Sequence, residues 1–180
     1  METATRTYTF ADYQKLPEGT PCQLIGGELV MSPAPSLQHQ RIIGKIFTLL
    51  SDYVNKKQLG EIFVSPVDVF LDDENTFQPD ITFISKERAS IMDEQKINGA
   101  PDFVVEILSP STAYYDLKKK KVMYEKYGVK EYWIVDPMEK TIDVLILRGG
   151  SFTQNAQVKL NQTVTSIIIQ GFEVNTKNVF

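Results

Sequence analysis

Two carboxylates and one ammonium fall where the surrounding sequence calls for apolar side chains. Glu106 sits inside Phe103-Val104-Val105-Glu106-Ile107-Leu108, a run too short for a typical helix and β-branched enough for a buried strand. Asp80 enters a second apolar stretch, Phe77 to Ile84, read as one strand in which it shares a face with Thr82 and Ile84. An unpaired buried charge is costly, so each carboxylate implies a cation, a metal or a proton beside it. The helix expected from about Ala113 to Tyr127 offers a cation. At about 100° per residue, Leu117, Met123, Tyr124 and Tyr127 fall on one arc, with Lys120 near its middle and Asp116 toward its edge. Lys118, Lys119 and Lys121 point away, so only one of four consecutive lysines faces inward.

Asp80, Glu106 and Lys120 would make a hydrolytic site. Two carboxylates from neighbouring strands can hold one Mg²⁺ or Mn²⁺, at about 2.0–2.1 Å for Mg²⁺, leaving positions for water and a phosphate oxygen. Lys120 could orient that water or neutralise charge on a pentavalent transition state. The structural alternative is a buried Lys120–Glu106 salt bridge beside a solvated lysine face.

The elements that must position these groups are punctuated along the chain. Thr9 can cap a short helix from Phe10 to Leu16, ended by Pro17-Glu18-Gly19, that looks like an N-terminal flap. Cys22 to Ile25 and Glu28 to Met31 flank Gly26-Gly27, a hairpin signal. Glu28 just past that turn is either an exposed turn residue or a further carboxylate pointing toward the site. Ser36 can cap a long helix whose apolar stripe runs from Leu37 to Val54 and ends near Gly60. His39 in its first turn is a capping or packing residue on one reading and a base on the other. Glu61 to Val64 and Val67 to Leu71 read as strand interrupted at Ser65-Pro66, and 85–98 as a charged surface connection. Asp72-Asp73-Glu74 lacks the alternating ligands and closing glutamate of a calcium loop. Ser109 to Thr112 would cap the lysine helix and Gly128 stop it. Glu131 to Asp136 is a strand, a hairpin turns at Arg148-Gly149-Gly150, and Val164 to Ile169 is the last strand candidate. One α/β domain over 1–180 is expected, a mixed sheet with the two helices packed on it.

With 180 residues, 42% hydrophobic, the chain can build an ordinary core. A net charge of −4 excludes a surface coated in base, so nucleic acid would be met by local patches such as Lys118 to Lys121, Lys126 and Lys130. One cysteine excludes an internal disulfide, and a single histidine excludes zinc sites built from Cys/His clusters. The first ten residues lack the apolar core of a signal peptide and no run approaches membrane-spanning length, so a soluble cytoplasmic protein is expected.

From Phe10 to about Val135 the sequence resembles the Uma2-like endonucleases, formerly a domain of unknown function, DUF820, within the PD-(D/E)XK restriction-endonuclease-like superfamily. The resemblance is carried by Pro101 to Thr112, then Asp116, Lys120, Tyr124 and Gly128 at four-residue steps, then Glu131 to Asp136. Further blocks are Gln23 to Leu29, Pro33 to His39 and Pro79-Asp80. It implies a restriction-endonuclease-like fold, a central mixed sheet flanked by helices with extra N-terminal and C-terminal hairpins. By position, the superfamily's two acidic residues fall on Asp80 and Glu106. Its lysine, two residues past the second acid, would fall on Leu108; here the lysine is matched by Lys120 on the following helix. The resemblance also implies that the Ile107 carbonyl helps bind metal and that Glu28 belongs to the site; Asp116 and Tyr124 share its pattern, and their i,i+4 spacing from Lys120 lets them orient that lysine.

The expected activity is Mg²⁺-dependent or Mn²⁺-dependent DNA cleavage, with Lys118, Lys119 and Lys121 as candidate DNA contacts. A homodimer is expected because cutting both strands needs two sites and C2 pairs are common. The alternatives are a non-catalytic DNA- or protein-binding module that keeps the fold, and a metal hydrolase of a small phosphoester.

Overall fold

The computed structural model describes residues 7–110 and 113–180. Thr9 opens helix α1 (Phe10–Tyr13), where Asp12 accepts hydrogen bonds from the Thr9 backbone and hydroxyl at 3.2 Å each. The α-helix ends at Tyr13, and only i→i−3 turn bonds from Lys15 and Leu16 reach the expected Leu16. Strands β1 (Cys22–Ile25) and β2 (Glu28–Met31) pair through Gly26 and Gly27. Both glycines have positive φ, 58° and 72°, as a two-residue hairpin turn requires. Ser36 caps helix α2 (Leu37–Lys57) by accepting from the His39 amide at 3.2 Å.

Strands β3 (Gly60–Val64) and β4 (Asp68–Asp72) follow, in different sheets. The expected single strand from Phe77 to Ile84 is broken in two, β5 (Asn75–Phe77) and β6 (Ile81–Ser85). Pro79 has no N–H to give a ladder, and the chain crosses between sheets there. Asp80 therefore lies in the bend before β6, outside the strand face expected to include Thr82 and Ile84. The 85–98 connection is more ordered than its composition implies: a 3₁₀ turn (Lys86–Ile91) leads to β7 (Lys96–Asn98), parallel to β4.

Strand β8 (Phe103–Ile107) is buried on both faces, which is why its sequence reads as a near-continuous apolar run. The caps expected at Ser111 and Thr112 lie outside the described residues. The following helix opens with a π turn (Tyr115–Lys120) before α3 (Lys121–Tyr127), and Gly128 at φ 87° ends it. Strands β9 (Glu131–Asp136), β10 (Thr141–Arg148) and β11 (Ser151–Lys159) complete the larger sheet. The expected Val164–Ile169 strand shortens to β12 (Thr163–Thr165), which pairs with β13 (Glu173–Asn175).

The six-stranded sheet runs β11-β10-β9-β8-β6-β3, antiparallel except for β8 and β9. Helix α2 lays Ile42, Ile46, Leu50 and Val54 over Phe103, Val105, Trp133 and Val135 on one face. On the other, Val104, Tyr132 and Ile134 meet Tyr124 of α3 and the five-stranded sheet, β2-β1-β5-β4-β7. Alternation along β8 thus separates Val105 and Ile107 from Val104 and Glu106. Glu106 is sent toward the lysine helix.

Candidate active site

The carboxylate of Glu106 is 2% exposed, and Lys120 Nζ lies 2.9 Å from its Oε1. The Tyr124 hydroxyl donates to the same oxygen at 2.7 Å, and Asp116 Oδ1 lies 3.0 Å from Lys120 Nζ. Lys120 thus serves two carboxylates, and Tyr132 ties the π turn down by donating to the Asp116 carbonyl at 3.1 Å. Lys120 is the one buried lysine of the four, as the wheel requires. The wheel fails at Leu117, which is 40% exposed. The i→i+5 bonding of the π turn widens the helix there, and the inward line becomes Asp116, Lys120 and Tyr124.

Charge is unevenly shared in this cluster. Burial works against the Lys120 charge, but Glu106 and Asp116 outweigh it and hold its pKa above the ordinary lysine value. At Glu106, burial pushes the carboxyl up to about 8; Lys120 opposes this, while Asp116 and Asp80 add to it. Burial is the first cause of the rise at Glu106, and one ammonium shared between two buried carboxylates opposes it only in part.

Asp80 meets the end of β8 at Ile107. Its Oδ2 accepts from the Ile107 amide at 2.7 Å and lies 3.3 Å from His39 Nε2. The same nitrogen is 2.9 Å from the Ile107 carbonyl oxygen. Burial disfavours a charge on His39, yet Asp80 and that carbonyl raise its pKa overall. The His39 backbone is a cap partner, as its position implies, while its ring reaches the end of β8.

Asp80, Glu106, His39, Asp116 and Lys120 line one cleft of about 1240 Å³. Its outer wall comes from α1 and the chain after β2: Phe10, Tyr13, Leu16, Pro33 and Pro35. Sequence reading missed a second polar cluster on this wall. Asp68 Oδ1 accepts from the Tyr13 hydroxyl and the Gln78 amide at 2.9 Å each, and Gln23 Oε1 accepts from the Gln78 backbone at 2.8 Å. These residues lie on four separated segments, and no spacing signal joins them. Glu28 does not line the cleft; it pairs with Lys119 at 2.9 Å. Lys118 is exposed, Lys119 and Lys121 are half-buried, and all three lie outside the lining.

The donor set fits a hard or borderline dication. Asp80 Oδ2, the Ile107 carbonyl and His39 Nε2 converge, and Glu106 opens on the same cleft. Among the described residues no three His, Cys, Asp or Glu side chains form a finished cation cage. The convergence point is two side chains and a backbone oxygen, and Glu106 Oε1 is engaged by Lys120 and Tyr124.

Comparison with known proteins agrees with this architecture. The Uma2 family, described as "Putative restriction endonuclease", matches residues 10–177. An uncharacterized protein of Synechocystis is 29% identical over 136 residues, covering 73% of this chain and 76% of its own length. A crystal structure from Anabaena variabilis, described as a "putative nuclease belonging to DUF820", superposes with a TM-score of 0.78. It is 22% identical and the match covers 96% of this chain and 97% of that one, a likeness of fold.

Proposed function

This chain belongs to the Uma2 family, and from that membership and its cleft we propose that it is a metal-dependent endonuclease hydrolysing phosphodiester bonds in DNA. The observation that carries the reading is the placement of Asp80 and Glu106 in one cleft with a buried, charged Lys120 2.9 Å from Glu106. Asp80, Glu106 and the Ile107 carbonyl would hold Mg²⁺ or Mn²⁺. Such an ion supplies a lowered pKa for bound water and polarisation of the phosphate.

The chain's own groups do the rest. The Ile107 amide fixes the Asp80 carboxylate, and Tyr124 with Lys120 fixes Glu106. Lys120 stays protonated, so its part is electrostatic: it offsets negative charge developing on the phosphoryl oxygens rather than removing a proton. Asp116 holds the ammonium in place from one helical turn away. Lys118 and Lys121, and less strongly Lys119, whose charge Glu28 offsets, would meet the flanking backbone outside the cleft.

Purified protein incubated with supercoiled plasmid and Mg²⁺, Mn²⁺ or EDTA tests this. Metal-dependent nicking is expected, falling by at least about 100-fold in Lys120→Ala. Linear product without nicked precursor would indicate that two copies act together as a homodimer. Cleavage that persists undiminished in Glu106→Ala or Lys120→Ala would reject the site. A second reading, a non-catalytic DNA- or protein-binding module, draws on one observation: Glu106, Asp116 and Lys120 are each at most 3% exposed and satisfy one another as a structural network would. Folded wild-type protein that leaves all DNA intact would favour it.

A further inference from the structure

His39 does more at this site than cap a helix. Its Nε2 faces a carbonyl oxygen at 2.9 Å and a carboxylate oxygen at 3.3 Å. Both are acceptors, so Nε2 carries a hydrogen and shares it between them. Nδ1 is buried and has no hydrogen-bond partner among the described residues. The ring is held by burial on α2, whose first turn is fixed by the Ser36 cap.

We propose that His39 Nε2 is itself a metal ligand, and that with Asp80 and the Ile107 carbonyl it makes a mixed nitrogen and oxygen site selecting Mn²⁺ over Mg²⁺. The inference rests on the reading of Asp80 and Ile107 as cation ligands. Neighbouring ligands of a six-coordinate ion with bonds near 2.1 Å stand about 3 Å apart, which is the spacing of Nε2 from both oxygens here. The hydrogen on Nε2 thus occupies the place a cation would take. Binding requires Nε2 to give up that hydrogen, and the neutral ring can carry it on Nδ1 instead. Nδ1 is unpartnered in either tautomer, so the shift breaks no hydrogen bond there. Imidazole nitrogen suits Mn²⁺ and its first-row neighbours, whereas Mg²⁺ favours an all-oxygen shell.

A strut between α2 and β8 would be the purely structural role of this histidine, and the test separates the two. The 180-residue chain is titrated calorimetrically with Mn²⁺ and with Mg²⁺ and, loaded with Mn²⁺, examined by pulsed electron paramagnetic resonance for ¹⁴N coupling. His39→Ala removes the ring, and His39→Gln keeps a side-chain donor for the Ile107 carbonyl should alanine fail to fold. Wild-type protein is expected to show imidazole ¹⁴N coupling and to bind Mn²⁺ more tightly than Mg²⁺. His39→Gln is expected to lose the coupling and at least tenfold in Mn²⁺ affinity, with Mg²⁺ affinity changed less than threefold. Mn²⁺ bound without nitrogen coupling, equal losses for the two ions, or no Mn²⁺ binding would each overturn the proposal. Plasmid nicking without nitrogen coupling removes His39 from the ligand set and leaves the nuclease reading standing. Nitrogen-coupled Mn²⁺ without nicking supports His39 ligation and removes the nuclease reading.

Discussion

Asp102 shows how this chain treats a carboxylate meant for structure. It is fully buried, yet it accepts from the Ser85 amide at 2.9 Å, Lys130 Nζ at 2.7 Å and Arg88 at 3.2 Å. Burial alone would raise its pKa, but these donors, Lys130 foremost, hold it below the usual carboxylate value. Its folded pKa therefore lies below its unfolded one. The stability it contributes is present above about pH 4 and is lost as pH falls through the folded value. Asp102→Asn is expected to cost about 2 kcal/mol at pH 7 and to flatten the fall in stability below pH 4, read by urea melts from pH 2 to 7. An unchanged acid limb would mean that Asp102 is not a principal acid-labile contact. Glu106 behaves in the opposite way. Its pKa is raised to about 8 by burial and neighbouring carboxylates, and it opens on a cleft. A carboxylate whose pKa stays raised although Lys120 and Tyr124 hold it, beside a cleft, is the kind of perturbed group that marks candidate functional sites.

The π turn is the element that makes the site. An ordinary helix over 115–127 would turn Leu117 inward beside Lys120; the widened turn leaves Leu117 40% exposed and brings Asp116, Lys120 and Tyr124 into one line. Leu117→Lys is accordingly expected to change stability by less than about 0.5 kcal/mol. Lys120→Met strands Glu106 and Asp116 without their cation and is expected to cost about 3–5 kcal/mol. Thermal melts in EDTA read both. A large loss in Leu117→Lys would mean that the regular wheel, and not the π turn, describes this helix. Strand β8 complements the turn. Its alternation sends Glu106 to the α3 face, while the Ile107 carbonyl at the strand end is reached from α2 by His39.

At the scale of the molecule, the cleft is acidic. Glu18, Asp68, Asp80, Glu106 and Asp116 line it against two lysines: Lys96, paired with Asp93 at 3.2 Å, and Lys120, paired with Glu106 and Asp116. A dication is attracted to such a cavity before a phosphate is. On the proposed nuclease reading, the electrostatic hold on DNA would come from outside the cleft, from lysines such as Lys118 and Lys121. Each phosphate contact contributes about −0.9 to the slope of log K against log salt. A shallow slope, of magnitude below about 4, is expected for duplex binding, and Lys118→Ala with Lys121→Ala is expected to reduce it by about 2. Fluorescence anisotropy across a salt series measures this; a slope unmoved by the double variant would place the phosphate contacts elsewhere. No helix among the described residues is long and apolar enough to cross a membrane.

Local pattern was enough for the hairpin at Gly26-Gly27, the capped helix α2, the strand bearing Glu106 and the single inward lysine. Each follows from periodicity and punctuation, which record the side of an element that faces the core. They do not record what waits across that core. Asp80 left its expected strand because Pro79 breaks the ladder where the chain passes between two sheets, and sheet membership is decided by closure of the whole fold. His39 meets Ile107 across 68 residues, and Tyr13 meets Asp68 across 55. The sequence by itself determined that a buried carboxylate and a buried ammonium would face each other. Only the tertiary structure decided that Asp80, His39 and the end of β8 share the same cleft, because contacts so distant along the chain are set by how the elements pack and not by any spacing within them.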